Sequence, residues 1–208
     1  MNSLGFRFLA PLLGHLVFTL VVLIFLGSSS KADSAPLSAT ALGGATLNLL
    51  SSSTSANGAS LGFGYGAECG IQLAKEHRLS VQAFFHKAQW ISELPGTKYE
   101  ATTDFSNYTF IYDYFFLGSS IDYFIGGGVG MVSEQNPQTN IQNATLTDGR
   151  RKFPVQTGVS FTARAGIRTF WSTHLYSPFM LSYSYYGVTL ADGQPSVVSA
   201  LAGLGWEL

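Results

Sequence analysis

The chain has 208 residues, of which only 11% are charged and 14% are aromatic, and its net charge is −1. Soluble domains ordinarily carry about 25% charged residues, so the composition argues against a water-soluble protein and favours a chain whose surface meets lipid. The charge balance gives no reason to expect a nucleic-acid partner. The single cysteine, Cys69, excludes an internal disulfide framework.

The N-terminal segment has the order of a secretory signal peptide. A basic residue, Arg7, precedes an almost wholly apolar run over 8–27, and small residues follow, including Ser30 and Ala32. This pattern predicts a signal peptide over 1–32 that is cleaved after Ala32. A short N-terminal segment, 33–40, follows it. The apolar run reaches the roughly 20 residues of a membrane helix, so an uncleaved anchor is the alternative.

The remainder of the chain, 41–208, shows the two-residue periodicity of β-strands with two different faces. In the clearest segment, Leu61, Phe63 and Tyr65 share one face, while Gly, Ser and Glu68 share the other. The pattern predicts one domain of eight strands, over 41–50, 59–73, 79–92, 107–116, 121–131, 158–171, 179–185 and 198–208.

The links between these segments differ in length. The links over 74–78, 117–120 and 172–177 are short, whereas those over 51–58, 93–104, 133–154 and 191–195 are generally longer or more polar. An even number of strands with short turns at one end and long loops at the other is typical of outer-membrane barrels. We therefore predict an all-β fold, an eight-stranded antiparallel up-and-down transmembrane β-barrel in the bacterial outer membrane, with short turns facing the periplasm.

The two faces indicate which side meets lipid. A soluble barrel would need the Gly- and Ser-rich face outside, and that face has almost no lysine to interact with water. The aromatic face is bulky and uncharged, as contact with lipid requires. At the periplasmic end the outward positions form a predicted aromatic girdle of Phe116, Tyr123, Trp171, Phe179 and Trp206.

One position conflicts with this assignment. Strict alternation in the third strand points Lys87 towards the apolar side. Either a β-bulge shifts the phase of the strand, or Lys87 extends its ammonium group to the membrane rim.

The inward face carries several ionisable residues, which must pair or stay hydrated away from bulk water. We expect Arg164 and Arg168 to pair with the acidic residues and to close the lumen. A narrow polar channel for small solutes is the alternative, since eight strands leave little room inside. The predicted lumen residues are Glu68, His86, Asp113, Asp122, Arg164, Arg168 and Glu207.

The C-terminal residues Gly203, Trp206 and Leu208 continue this alternation to the end of the chain. With its eight segments, the chain resembles the small outer-membrane barrel superfamily that includes the OmpA transmembrane domain and the OmpX and Ail proteins. The resemblance implies that the barrel-assembly machinery reads the last strand. The chain departs from that family by ending in Leu208 in place of Phe and by carrying Leu201 where a polar residue is common.

The most favoured function is a structural or surface-interaction role for a monomer that contacts outer-membrane lipid and lipopolysaccharide. The loop over 133–154 ends in a basic cluster, Arg150, Arg151 and Lys152, which is a candidate site for phosphates or an extracellular ligand. A lipid-modifying enzyme is a third hypothesis. His174 lies three residues before Ser177, which does not match the His-x-Ser arrangement of lipid A deacylases. We expect no catalytic residues, cofactor or metal.

Overall fold

The computed structural model describes residues 36–52, 58–94, 97–118, 120–143, 146–152, 155–189 and 193–208. Within these ranges the chain forms nine β-strands: β1 (Leu37–Ser52), β2 (Gly58–Ala74), β3 (His77–Leu94), β4 (Thr97–Phe116), β5 (Ile121–Asn143), β6 (Leu146–Lys152), β7 (Thr157–Phe170), β8 (Leu175–Tyr186) and β9 (Gly193–Glu207). No helix in the described part of the chain is long and apolar enough to cross a membrane.

Eight of these strands close into a barrel. Neighbouring strands pair antiparallel, and β1 pairs with β9, with Ala39 opposite Trp206 and Leu47 opposite Val198. β5 pairs with β4 on one side and with β7 on the other, up to Ser133. β6 pairs with β5 beyond that point and stands outside the ring. The structure confirms the predicted all-β, eight-stranded, antiparallel up-and-down barrel.

The outer wall of the barrel is apolar. Alternate side chains of each strand point outwards, and large hydrophobic residues remain exposed there, among them Leu61, Phe63, Tyr65, Phe110, Tyr112, Tyr123, Ile125, Val129, Phe161, Phe179, Leu181, Tyr183 and Leu204. A continuous exposed apolar surface of this kind is unfavourable in water and is the lipid-contacting band of a transmembrane barrel. We call this band the apolar belt.

The strand ends agree with the predicted links at one end of the barrel. β2 and β3, β4 and β5, and β7 and β8 are joined by short turns. β1 starts at Leu37, earlier than the start predicted at residue 41. Residues 1–35, with the predicted signal peptide and its cleavage site, lie outside the described residues.

Two predicted loops were wrong at the other end. β3 continues to Leu94 and β4 begins at Thr97, so most of the predicted loop over 93–104 is strand. β5 continues to Asn143 and pairs with β6, so most of the predicted loop over 133–154 is a hairpin. These segments project beyond the apolar belt. Neither of their faces has to be apolar there, so the alternation that identified the other strands is lost.

The structure settles the position of Lys87. β3 pairs with β4 without a shift from His77 to Leu94, so no bulge changes the phase of β3. Lys87 is exposed on the outward face, opposite Asp104, just beyond the apolar residues of β3. The register irregularity lies in β4, between Thr102 and Asp104, where β4 pairs with β5.

Candidate functional site

The lumen collects charged side chains because each lies on the inward phase of its strand. Glu68 of β2, Asp113 of β4 and Arg164 of β7 are all buried. Glycines opposite them leave the space they occupy. A Cβ on Gly126 would lie 2.0 Å from Oδ1 of Asp113. The Gly-rich inner face therefore makes room for a few large polar side chains in a narrow barrel.

Arg164 is the centre of the buried ion pairs. Its Nε donates a hydrogen bond to Oδ1 of Asp113 at 2.8 Å, and its Nη2 also pairs with that carboxylate. Nη1 pairs with Glu68, and Nη2 donates to the Ser80 hydroxyl at 3.4 Å. Since β2, β4 and β7 lie on different sides of the ring, this one guanidinium links separate walls across the lumen.

Arg78 is a member of this cluster that the sequence reasoning missed. Its Nη2 lies 2.9 Å from Oε1 of Glu68, in an ion pair without hydrogen-bond geometry, and its side chain is buried. The sequence pattern predicts a turn over 74–78, whereas β3 begins at His77. The inward alternation of Ser80 and Gln82, continued back by one step, would have identified Arg78.

Arg168 forms a second group of ion pairs nearer the short turns. Its Nη2 lies 3.0 Å from Oδ2 of Asp122, and Nη1 pairs with Glu207. The guanidinium also lies over the Phe115 ring, 4.4 Å from its centroid. The aromatic ring and the two carboxylates together stabilise the Arg168 guanidinium, which is largely removed from water.

Apolar side chains fill the remaining space around both groups. The lower apolar cluster consists of Leu42, Phe84, Phe115, Phe124, Met180 and Leu201, all buried. A cavity between the arginines, bordered by Thr40, Tyr176 and Pro178, has room for about one water molecule. The lower lumen is therefore packed and does not contain an open polar path.

The lumen half nearer the long loops combines an apolar cluster with buried polar side chains, among them Asn48, Asn107, Glu134 and Ser160. We call Leu50, Ala88, Trp90, Phe105, Val132, Tyr186, Val188 and Val197 the upper apolar cluster, and all are buried. The structure places His86 here and not among the ion pairs. Its Nε2 lies 2.9 Å from the Tyr186 hydroxyl, and its ring stacks on Phe105 with centroids 5.1 Å apart.

The five aromatic residues of the predicted girdle, Phe116, Tyr123, Trp171, Phe179 and Trp206, are all exposed on the outer wall at the end with the short turns. Trp206 stacks on His174, with ring centroids 5.8 Å apart, and His174 Nδ1 lies 3.0 Å from the Glu207 carbonyl oxygen. Leu208 donates its N–H to the Leu37 carbonyl at 2.8 Å, while Gly203 lies opposite Leu42. The last strand is thus held by β1 and by the β7–β8 turn.

The basic cluster Arg150, Arg151 and Lys152 belongs to β6. Its side chains lie outside the described residues, so its role as a binding surface stays a prediction. Among the residues that the structure does describe, no group of three or more His, Cys, Asp or Glu is placed to hold a metal ion.

Solved structures with a similar fold are small outer-membrane proteins. Neisserial surface protein A aligns with a TM-score of 0.50 and 14% identity, over 83% of this chain and 97% of that one. The outer membrane protein OprG from Pseudomonas aeruginosa aligns with a TM-score of 0.51 and 14% identity, over 84% of this chain and 97% of that one. Neither the protein-family models nor the curated proteins gave a match. The chain has the fold of the small barrels of the bacterial outer membrane.

Proposed function

We propose that this protein is an integral outer-membrane barrel with a closed, ion-paired lumen, and that its role is structural or surface interaction. The observation that carries the proposal is the filled lumen. From the short turns towards the long loops, the lumen is occupied by the Arg168 ion pairs, the Arg164 ion pairs and the two apolar clusters.

The packing argues against a channel for small solutes. A hydrated ion on the lumen axis would have to pass the upper apolar cluster, whose side chains are all buried and fill that part of the lumen. It would then meet Arg164, whose guanidinium is engaged by Glu68 and Asp113 at once. Opening this path means separating buried charges, which costs several kcal/mol per ion.

A surface role is supported by the strands that project beyond the apolar belt. β3, β4, β5 and β6 continue there as a hydrogen-bonded sheet, so the loop side presents an ordered surface. The basic residues of β6 could offer this surface to lipopolysaccharide phosphates or to an extracellular ligand. We further propose that the protein is a monomer and that the barrel-assembly machinery recognises its last strand.

Planar-bilayer recording tests the closed lumen. Purified, folded protein is expected to give no steady unitary currents, because the ion pairs stay formed. A protein-free detergent addition is the blank. Steady unitary currents from the unmodified protein that disappear in Arg164→Ala would overturn the closed lumen in favour of a narrow channel.

We do not assign an enzymatic activity. The ring of His174 is engaged by Trp206 and the Glu207 carbonyl, and His86 is buried against Tyr186. Neither ring is arranged as a base beside a serine nucleophile. Mass spectrometry of lipid A from cells with and without the protein is expected to give identical acylation patterns, and the loss or gain of an acyl chain would contradict this.

A further inference from the structure

Three arginines and one glutamate border the cavity in the lower lumen. Arg78 of β3 approaches it from one wall, and Arg164 and Arg168 of β7 approach it from another. Glu68 is the one carboxylate among the described residues that line it. The other carboxylates of the network pair with Arg164 and Arg168 without bordering the cavity, and they are Asp113, Asp122 and Glu207.

Two of these guanidiniums keep N–H groups without hydrogen-bond partners. Nε and Nη2 of Arg78 and Nε of Arg168 are removed from solvent and have no partner among the described residues. Arg164 differs, because its Nε, Nη1 and Nη2 all donate hydrogen bonds. A buried donor without an acceptor is unfavourable, so Arg78 and Arg168 favour an acceptor in the cavity between them.

The uncharged polar groups of the cavity do not supply that acceptor. The hydroxyls of Thr40 and Tyr176 lie 2.6 Å apart and share one hydrogen bond, which uses one of their two hydrogens. A water molecule accepts hydrogen bonds, but it also needs acceptors for its own two hydrogens. The unpartnered atoms of Arg78 and Arg168 are all donors, and a monoatomic anion accepts from several donors while donating none.

The size and position of the cavity limit which anion can enter. It has room for about one water molecule, which suits a chloride ion and excludes phosphate or sulfate. The Arg168–Glu207 pair lies at the end with the short turns, and the Glu207 side chain is 21% exposed, whereas that of Asp113 is fully buried. An ion therefore reaches the cavity from the short-turn end, past Arg168.

We infer that this cavity is a binding site for one monoatomic anion of the size of chloride, held between Arg78 and Arg168. The anion accepts hydrogen bonds from the unpartnered N–H groups of both guanidiniums and joins the two groups of ion pairs. Four carboxylates already balance the three arginines of the network, so the binding depends on these short contacts and is weak and saturable. The site does not depend on whether the lumen conducts, which bilayer recording tests separately.

Urea unfolding of the barrel in lipid bilayers tests the site with sodium chloride as the probe. Chloride is raised against sodium gluconate at constant ionic strength, because gluconate is too large for the cavity. An ion that binds only the folded barrel is expected to raise the folding equilibrium constant about elevenfold at ten times its dissociation constant, with saturation. A folding constant that does not respond to chloride would overturn the inference.

Arg78→Gln removes one of the two proposed anion ligands. We expect this variant to lose the saturable response to chloride, and Lys75→Gln, which removes an exposed cation of the β2–β3 turn, to keep it. An equal response in both variants would show a general salt effect and would overturn the site. Arg78→Lys keeps a cation without the guanidinium and is expected to weaken the response, which provides the same test if Arg78→Gln does not fold.

Diffraction from the unmodified protein needs no variant. Crystals grown in sodium bromide are expected to show one anomalous peak at hydrogen-bond distance from both Arg78 and Arg168. No peak in the cavity, or a bound water molecule only, would contradict the anion site. Steady currents in bilayer recording would refute the closed lumen but would leave this peak unchanged, so the two proposals fail separately.

Discussion

Arg164 illustrates what a charge inside a narrow barrel requires. Its guanidinium is buried, so the cost of dehydration is offset only because Glu68 and Asp113 approach it from different walls. The same arrangement couples three strands through one residue. The glycines opposite the charged residues are also required, because a side chain at those positions would occupy the space that the charged side chains fill.

We expect Arg164→Ala to lower the free energy of unfolding by about 3–5 kcal/mol, because two buried carboxylates lose their partner. Urea unfolding in lipid bilayers measures the loss. Lys75→Ala is the matched control, since Lys75 is an exposed cation and its removal should cost less than about 1 kcal/mol. Equal effects of the two substitutions would show that the buried ion pairs do not stabilise the barrel.

Neighbouring glycines provide a second test. A methyl group on Gly126 would clash with Asp113 and with the Tyr112 carbonyl, whereas on Gly127 it would meet only the Thr162 carbonyl, at an ordinary 3.4 Å. We expect Gly126→Ala to cost about 1–3 kcal/mol by overpacking and Gly127→Ala to be close to neutral. The same unfolding measurement separates them, and a more harmful Gly127→Ala would contradict the assignment of faces.

At the scale of elements, the strands have segments that cross the membrane, and β3 to β6 also have segments that project beyond the apolar belt. The ring of pairings that closes the barrel is complete below Ser133, where β5 leaves β7 and continues alone with β4 and β6. The projecting hairpin therefore adds surface without closing the wall.

Replacing residues 136–154 with a short turn should leave the barrel folded. We expect the shortened protein to keep its heat-modifiable gel migration and to unfold within about 1 kcal/mol of the full chain, because the deletion removes pairings of β5 with β4 and β6 only beyond Ser133, where the ring is already closed. Removing β7 (Thr157–Phe170), a strand of the ring, is the control and should abolish folding. Loss of heat-modifiable migration in the hairpin variant would show that β6 is needed to close the barrel.

The last strand, β9, closes the ring against β1. We expect Trp206→Ala to reduce the amount of protein in outer-membrane fractions, because it removes an outward aromatic residue from the predicted assembly signal. Trp171→Ala, the control, removes another exposed girdle residue outside that strand. Quantitative blotting of fractions compares them, and equal accumulation would refute a special role for the last strand.

At the scale of the whole molecule, the barrel is reversed relative to a soluble protein, with apolar residues outside and polar residues inside. The reversal is favourable only where hydrocarbon surrounds the wall and all backbone groups pair within the protein.

Spin labels test the reversed placement of faces. Labels at Phe63 and Tyr112, introduced as cysteines with Cys69→Ser, are expected to be accessible to oxygen and protected from a water-soluble nickel chelate, because both side chains are exposed on the apolar belt. A label at Lys75, in the β2–β3 turn, should show the opposite behaviour. Aqueous accessibility at Phe63 and Tyr112 would refute the transmembrane barrel.

The sequence alone determined that the fold is all-β, that eight strands form the ring and which face of each strand meets lipid. It also identified most of the charged residues that point into the lumen. It could do so because lipid imposes a strict two-residue period that each strand carries locally. The same reasoning failed for the projecting parts of β3 to β6, where no bilayer enforces that period.

Only the tertiary structure decided which charges meet. It joined Arg78 to Glu68, placed His86 with Tyr186 and ended the β2–β3 ladder at Gly64. These features depend on strand register and on the stagger of the strands around the ring, which bring together residues far apart in sequence. Alternation records which face a residue is on, but it does not record how high that residue lies relative to its neighbours across the lumen.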